Sequence, residues 1–308
     1  MSLPIHVALT SDVSEIESAQ LTGVAAALSK QVLRDFQPVW RVDATVDAFV
    51  KLEDVPIDYW PIIVKRQVEG AAGFHQDENG QPFALVEFGQ DWSLTASHEC
   101  LEMLADPFGR RLRAGNIPDQ AIGLGFKPSR VQFLVEVCDP SEGGQFSYQV
   151  NGVVVSDFYT PHYFDPVRAP GVQYSFTGVI DAPRKVLDGG YISYRDPVSK
   201  HWFQVRMFPD QLSAGVPHVV DLTEQTAFGK LATQTSLRSA IDRVTPQPPY
   251  RDSLHGSALM AARLNVETAT QAQVARAESL RAQVQSLVQA TQPKGKRAGG
   301  RKGSVARR

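Results

Sequence analysis

Several common features are missing from this chain of 308 residues, and each absence narrows what it can be. It contains only two cysteines, Cys100 and Cys138, which are too few for a disulfide framework. No apolar run approaches the roughly 20 residues that cross a bilayer, and the N-terminus lacks the basic start and apolar core of a signal peptide. We therefore expect a globular protein of the cytoplasm, or one released without a signal peptide, and no membrane association.

Familiar catalytic motifs are missing too. The chain has no glycine-rich phosphate loop, no Gly-x-Ser-x-Gly nucleophile elbow and no Cys-x-x-Cys pair. These absences argue against nucleotide-phosphate chemistry, against serine hydrolases of the elbow type and against thiol redox chemistry.

Charge is balanced overall but unevenly distributed. The formal net charge is −2, yet residues 293–308 carry seven lysines and arginines and no acid, which leaves −9 on the rest of the chain. An acidic body is not the footprint of a nucleic-acid-binding domain. We expect the basic tail to be disordered, with at most a weak attraction to nucleic acid or to an acidic partner.

The most informative segment runs from Ser97 to Pro107 and reads Ser-His-Glu-Cys-Leu-Glu-Met-Leu-Ala-Asp-Pro. On a helix with about 100° between residues, one histidine and three acids share about 100° of arc, and the opposite side is apolar. The residues on the shared face are His98, Glu99, Glu102 and Asp106. Because proline disfavours helix in the residue before it, we expect the helix to end near Asp106.

This face has the chemistry of a cation site. A His and a Glu at positions i and i+4 can hold one metal ion, and a Glu beside the His can take a proton from a water on that ion. The pattern is that of the His-Glu-x-x-His helix of zinc peptidases with Glu in place of the second His, and zinc accepts carboxylate oxygen. We predict His98 and Glu102 as zinc ligands and Glu99 as the general base of a metallopeptidase acting on peptide or protein substrates.

A catalytic zinc usually has three protein ligands, so one more ligand is expected. Glu136 is the first choice, because an acid inside the apolar run Phe-Leu-Val-Glu-Val needs a partner. Asp106, Asp139 and His162 are the alternatives. The aromatic loop that follows offers Tyr159 or Tyr163 as a donor to a developing oxyanion.

A second interpretation needs no metal. The acids near His98 would then form a solvated face or pair with arginines of the next loop, which are Arg110, Arg111 and Arg113. In that case the protein is a structural or interaction module, for example a component of a phage particle. It would self-associate through residues 258–291, which are rich in Ala, Gln and Arg and hold about two heptads of coiled-coil spacing.

The order of predicted elements gives an α+β domain. A strand at residues 4–9 and a helix over 13–36 precede strand candidates near 41–50, 62–68, 73–76 and 82–88, and then the helix of His98. Asn-Gly pairs at 79–80 and 151–152 predict hairpins. We expect a zincin-like mixed sheet with a backing helix and an active-site helix over residues 1–225, a helical extension over 226–292 and a disordered tail over 293–308.

Three blocks of the sequence carry a resemblance to a family. They are residues 97–107, residues 136–140 (Glu-Val-Cys-Asp-Pro) and residues 155–161 (Val-Ser-Asp-Phe-Tyr-Thr-Pro). Together they resemble the signature blocks of a family of bacterial and phage-borne proteins that has no assigned activity. The resemblance implies that Glu102 is the family's own residue at this position rather than a damaged peptidase motif.

Overall fold

The computed structural model describes residues 4–68, 71–208, 216–232 and 236–246, and within them the chain is an α+β protein. Its strands are β1 (Ile5–Ser11), β2 (Ala44–Ala48), β3 (Trp60–Lys65), β4 (Gly73–Glu78), β5 (Gln81–Glu87), β6 (Leu112–Asn116), β7 (Arg130–Leu134), β8 (Tyr148–Val150), β9 (Val153–Val155), β10 (Tyr191–Arg195), β11 (Trp202–Arg206) and β12 (His218–Asp221). Its α-helices are α1 (Ser18–Gln31), α2 (Gln37–Trp40), α3 (Trp92–Ala105), α4 (Asp119–Gly123), α5 (Thr226–Leu231) and α6 (Leu237–Val244).

The first sheet is mixed, with the order β2-β1-β3-β5-β4. Its first four strands are parallel, and β4 returns antiparallel along the edge beside β5. The β4–β5 turn falls on Asn79 and Gly80, which both have positive φ, as the tight hairpin turn predicted from Asn-Gly requires. Strand β4 is therefore an edge strand of the first sheet, and one of its faces packs against α3.

Helix α3 packs against β3, β4 and β5. It begins at Trp92 and ends at Ala105, as Pro107 predicts. From Thr95 to Ala105 every residue is buried, so other parts of the chain cover the acidic face as well as the apolar one. The expectation of a solvated acidic face is wrong.

The predicted helix over 13–36 is a compound element. Helix α1 continues through a π-turn at Val32–Phe36 into α2, which ends at Arg41 in the left-handed conformation. Helix α1 packs on β1 and β2 and also touches the β8–β9 hairpin. That hairpin turns at Asn151 and Gly152, both with positive φ, as the sequence predicts.

The second sheet is antiparallel, with the order β12-β11-β10-β7-β6. Strand β7 stops at Leu134, so Glu136 lies in the buried segment just after the strand rather than inside it. A short 3₁₀ turn at Asp139–Ser141 follows at once. Asp139 is therefore held close to the end of β7.

Helices α5 and α6 open the segment predicted as a helical extension. They pack on the second sheet through a small apolar cluster that is separate from the main core. Its buried members are Leu134, Trp202, Leu222, Phe228, Ala240 and Ile241. The predicted helix at 258–291 and the basic tail at 293–308 lie outside the described residues. Within the described part, no helix has the length and apolarity to cross a membrane.

Candidate metal centre

Four parts of the fold bring charged side chains to one buried place. Helix α3 supplies His98, Glu99 and Glu102, all less than 7% exposed. Glu136 and Asp139 come from the segment after β7, His75 from β4, and Arg238 with Asp242 from α6. We call these eight side chains the charged centre.

His98 lies between two carboxylates. Its Nε2 is 3.3 Å from Glu102 Oε2, one helical turn away, and 3.1 Å from Asp139 Oδ1. The three ligand-type atoms lie within 4.8 Å of one another, and all three side chains are buried. The prediction that His98 and Glu102 point into a shared space agrees with this geometry, and Asp139 is the third side chain that joins them.

His75 forms a second group with Glu99 and Glu102. Its Nδ1 is 3.5 Å from Glu99 Oε2 and 3.9 Å from Glu102 Oε2, distances beyond a normal hydrogen bond. Its Nε2 contacts the backbone carbonyl of Asp106 at 3.1 Å. A carbonyl can only accept, so Nε2 carries a proton and Nδ1 faces the two acids.

Tight backbone packing holds Glu99 in this position. Gly73 of β4 lies so near α3 that a Cβ there would be 2.5 Å from Thr95 Cγ2 and 2.9 Å from Glu99 Oε1. The edge strand can approach the helix this closely because Gly73 has no side chain. The same approach brings His75, two residues on, against Glu99.

Arg238 is the positive charge at the middle of the acids. Its Nη2 is 2.9 Å from Glu102 Oε2, and its Nη1 is 2.6 Å from Glu136 Oε1 and 3.2 Å from Asp139 Oδ2. Its Nε is 2.9 Å from Asp242 Oδ1 on the same helix. The guanidinium is 3% exposed, so it balances part of the buried negative charge.

One arginine cannot neutralise five buried carboxylates. The pKa values of several groups in the charged centre are therefore shifted from their usual range. Burial raises the pKa of Glu136 well above its usual range and that of Asp242 to about 7, with Arg238 only partly opposing the shift. Burial alone would lower the pKa of His98, but Glu102 and Asp139 raise it well above its usual value. Without a metal, protons on these groups limit the buried charge.

Other pKa shifts keep two of the acids ionised. Burial would raise the pKa of Asp139, but Arg238 and His98 outweigh it and hold that pKa below its usual range. In the same way His75 and His98 lower the pKa of Glu99 against the effect of burial. Asp139 and Glu99 are therefore anionic side chains inside the charged centre.

A small cavity reaches the charged centre. It has a volume of about 20 Å³ and touches His98, Glu99, Arg238, Asp242 and Tyr191. A water molecule needs a cavity of about 10–15 Å³ on this measure, so there is room for a single water or ion. Two polar atoms of the charged centre, Glu99 Oε2 and His75 Nδ1, are buried and have no hydrogen bond of normal geometry within the described residues.

Other residues predicted for the site have different roles. Asp106 ends α3, and its Oδ2 accepts from the backbone N–H of Arg111 at 2.6 Å. His162 is exposed and pairs with Asp165 at 2.9 Å. Tyr159 is buried next to the centre, where its hydroxyl accepts from the backbone N–H of Glu136 at 3.1 Å. Glu136 itself contacts Arg238 and is not in either group of three.

The arginines expected to pair with the acids lie elsewhere. Arg110 stacks on Phe108, Arg113 on Phe164 and Arg111 on Trp40. Arg238 takes the place predicted for them, from a segment more than 120 residues further along the chain. The sequence contains no local signal for this long-range contact.

His75 also escaped prediction, because no second ligand lies near it in the sequence. One weak signal existed. In β4 only His75 is fully buried, and it lies at an alternate position of the hairpin strand that precedes the His98 helix. A polar residue on the inward face of an edge strand is a candidate for contact with the helix beside it.

The arrangement suits a divalent cation. Imidazole nitrogen with carboxylate oxygens is a ligand set that zinc uses, and buried acceptors without hydrogen bonds are the atoms that an ion would satisfy. His75 also shows the usual support of a ligating or orienting histidine, since its second nitrogen is fixed by a backbone carbonyl. Comparisons of the chain with protein families, curated proteins and solved structures find no significant match, so this geometry carries the functional argument alone.

Proposed function

We propose that this protein is a zincin-like, metal-dependent hydrolase of peptide bonds, with zinc held by His98, Glu102 and Asp139. The observation that carries the proposal is the approach of His98 Nε2 to two buried carboxylate oxygens, at 3.3 and 3.1 Å. Tetrahedral ligands at about 2.0–2.1 Å from one zinc ion are separated by roughly 3.3–3.4 Å, so the Glu102 distance fits a shared ion and Asp139 would need to move by a few tenths of an ångström. A catalytic zinc with three protein ligands keeps a fourth position for water or substrate.

Side chains around this position supply the remaining chemistry. Bound zinc would polarise the scissile carbonyl and acidify a water. Glu99 is kept ionised and follows His98 directly, so it would accept the proton of a water held at this position. His75 Nδ1 lies on the other side of the Glu99 carboxylate, 3.5 Å from Oε2. The backbone N–H of Cys138 donates to Glu102 Oε1 at 3.1 Å, while Glu102 Oε2 faces His98 and Arg238.

The topology supports the zincin-like assignment. A helix, α1, lies behind a mixed sheet that ends in an antiparallel edge strand, and the helix of His98 follows that sheet in the chain. Zincin peptidases have the same order of backing helix, mixed sheet and metal helix. A fold alone does not define an activity, so this point supports the site rather than replacing it.

One observation favours a second function. Arg238 already makes ion pairs with Glu102, Glu136 and Asp139. A buried guanidinium in this place is what an inactive, zincin-like structural or interaction protein would have. That alternative predicts no metal in the protein as purified or after zinc is added.

Metal analysis of the purified full-length chain distinguishes the two functions. We expect close to one zinc per chain after incubation with zinc and gel filtration, and less than a tenth of that in His98→Ala. His162→Ala is the matched control, because His162 is exposed and paired only with Asp165, and it should keep the wild-type zinc content. If the wild type holds no zinc, or if His98→Ala holds as much as the wild type, the hydrolase proposal is wrong.

A further inference from the structure

We propose that Arg238 is an internal cation that competes with the metal ion for Glu102 and Asp139, so that α6 must withdraw before the site fills. This inference rests on the proposed metal site and adds its regulation. It makes the described arrangement the closed, metal-free state. The charged centre then alternates between a guanidinium and a divalent ion.

The competition follows from shared atoms. Glu102 Oε2 is the oxygen nearest to Arg238, at 2.9 Å from Nη2, and it is also the oxygen that faces His98 at 3.3 Å. Asp139 also contacts both groups, but through different oxygens. Its Oδ1 is 3.1 Å from His98 and its Oδ2 is 3.2 Å from Arg238. Both predicted carboxylate ligands are therefore engaged by the arginine.

A metal and the guanidinium cannot both sit here at low cost. An ion bonded to Glu102 Oε2 at about 2.1 Å would lie no more than about 5 Å from Arg238 Nη2. At 3% exposure of the arginine and 0% of Glu102, little water screens the repulsion between the two positive groups. Binding of one cation therefore weakens the binding of the other.

Helix α6 is built to move as a unit. Asp242 pairs with Arg238 Nε within the helix, so withdrawal removes one positive and one negative charge together. Ser236 caps the same helix by accepting from the backbone N–H of Ser239. Withdrawal leaves Glu102, Glu136 and Asp139 without the guanidinium, and a divalent ion would supply the lost positive charge.

Helix α6 is attached to the body mainly by polar contacts, which include the ion pairs of Arg238 and a hydrogen bond from Arg206 to the Val244 carbonyl. Its apolar contact is the small cluster around Ala240 and Ile241, separate from the main core. Ser239 donates to Gln76 Oε1 on β4 at 2.8 Å. A peripheral element with few apolar contacts opens at a lower free energy than the core does.

Zinc titration calorimetry on the full-length chain tests the competition. We expect the Kd for zinc to fall at least tenfold in Arg238→Met and in the double variant Arg238→Met/Asp242→Asn. The double variant removes Arg238 together with its partner on the same helix, so no partner carboxylate is left unpaired in α6. It can therefore be measured even if Arg238→Met alone does not fold. Arg184→Met is the matched control, because Arg184 is also 3% exposed but bonds to backbone carbonyls away from the centre, and its Kd should equal that of the wild type.

Hydrogen exchange of the wild type gives a readout that needs no variant. Saturating zinc should speed amide exchange across residues 237–244 at least tenfold, while exchange in the strands of the first sheet stays unchanged or slows. Zinc binding with equal Kd in all variants, or with undiminished protection of α6, would overturn the competition and leave the proposed function standing. Absence of zinc binding in the wild type and every variant would overturn the proposed function, and the competition with it.

Discussion

Glu99 is the residue on which the proposed chemistry depends. It lies beside His98 in the sequence, His75 contacts it at 3.5 Å, and its pKa is lowered despite burial. An ionised carboxylate in this place can accept a proton from water but is not one of the three proposed ligands. Its removal should therefore affect turnover more than metal content.

Glu99→Gln provides the test at residue scale. The amide has the same shape but cannot take the proton, so we expect hydrolysis of a peptide substrate to fall about 10²–10⁴-fold. Zinc content should stay near that of the wild type, whereas Glu102→Gln should lose zinc and activity together. Full activity in Glu99→Gln would show that another group acts as the base.

Asp242 makes folding stability depend on pH. Its pKa is about 7 in the folded protein, against 3.8 in an ordinary setting. Between these values the folded state holds a proton that the unfolded chain has released, so this group's contribution to stability decreases as pH rises from about 4 to about 7. An Asn side chain at this position is neutral at every pH, so it adds no pH dependence to the free energy of unfolding.

Urea unfolding of the wild type and Asp242→Asn at pH 4.5 and pH 8 measures this contribution. The free energy of unfolding of the variant, relative to the wild type, should rise by about 2–4 kcal/mol between the two pH values. Most of the change should occur below pH 7. A difference that is the same at both pH values would mean that Asp242 is ionised throughout.

Sequence could predict part of the charged centre because part of it is local. His98, Glu99 and Glu102 are related by helical periodicity, which depends only on backbone geometry. Asp139 was one of several open alternatives, since its contact with His98 depends on where β7 ends. Arg238 was not predicted, because its position follows from the packing of α6, more than 130 residues from α3.

At the scale of elements, a buried polar contact holds helix α3 in place. Ser97 Oγ donates to Gln31 Oε1 at 2.9 Å and accepts from the backbone N–H of Ser156 at 2.9 Å. Gln31 Nε2 completes the connection by donating to the Ser156 carbonyl at 2.9 Å. Helix α1, helix α3 and the segment after β9 are joined at this point.

Ser97→Ala should destabilise the fold without changing the metal centre. The change leaves the Ser156 N–H and Gln31 Oε1 buried and unpaired, which costs about 1–3 kcal/mol in the free energy of unfolding. Ser93→Ala on the same helix is the control, because among the described residues the Ser93 hydroxyl makes one hydrogen bond, a long one of 3.5 Å to the Val154 carbonyl. It should lose less than about 0.5 kcal/mol in the free energy of unfolding. If Ser97→Ala is fully folded but no longer binds zinc, the claim that Ser97 affects only stability is wrong.

Hairpins and helix ends were the most predictable elements. Asn-Gly pairs specify turns through backbone conformations that few residues adopt, and both predicted hairpins form. Pro107 likewise marks the end of α3. The π-turn after α1 and the early start of α3 at Trp92 have no comparable local signal, because packing decides them.

At the scale of the whole molecule, the charge distribution separates the described body from the C-terminal residues. The proposals that residues 258–291 self-associate and that the basic residues 293–308 attract nucleic acid or an acidic partner remain predictions from the sequence. They do not depend on the charged centre. The stability of the folded body, by contrast, is coupled to that centre through its uncompensated carboxylates.

Zinc should therefore stabilise the whole fold. A ligand that binds only the folded state adds about 2.7 kcal/mol when its free concentration is 100 times its Kd. For a body of this size each kcal/mol moves the thermal midpoint by about 2–4 °C, so saturating zinc should raise it by about 5–10 °C. Magnesium should shift it far less, because it prefers six oxygen ligands and the site includes imidazole nitrogen.

Thermal unfolding of the full-length chain with zinc, with magnesium and after chelation measures this coupling. His98→Ala should unfold at the same temperature with and without zinc, whereas His162→Ala should respond as the wild type does. The competition with Arg238 adds a further condition. Withdrawal of α6 would weaken zinc binding by the wild type, so at the same free zinc concentration its thermal midpoint should rise less than that of Arg238→Met/Asp242→Asn. Equal shifts in the two proteins would mean that zinc and α6 occupy the centre independently.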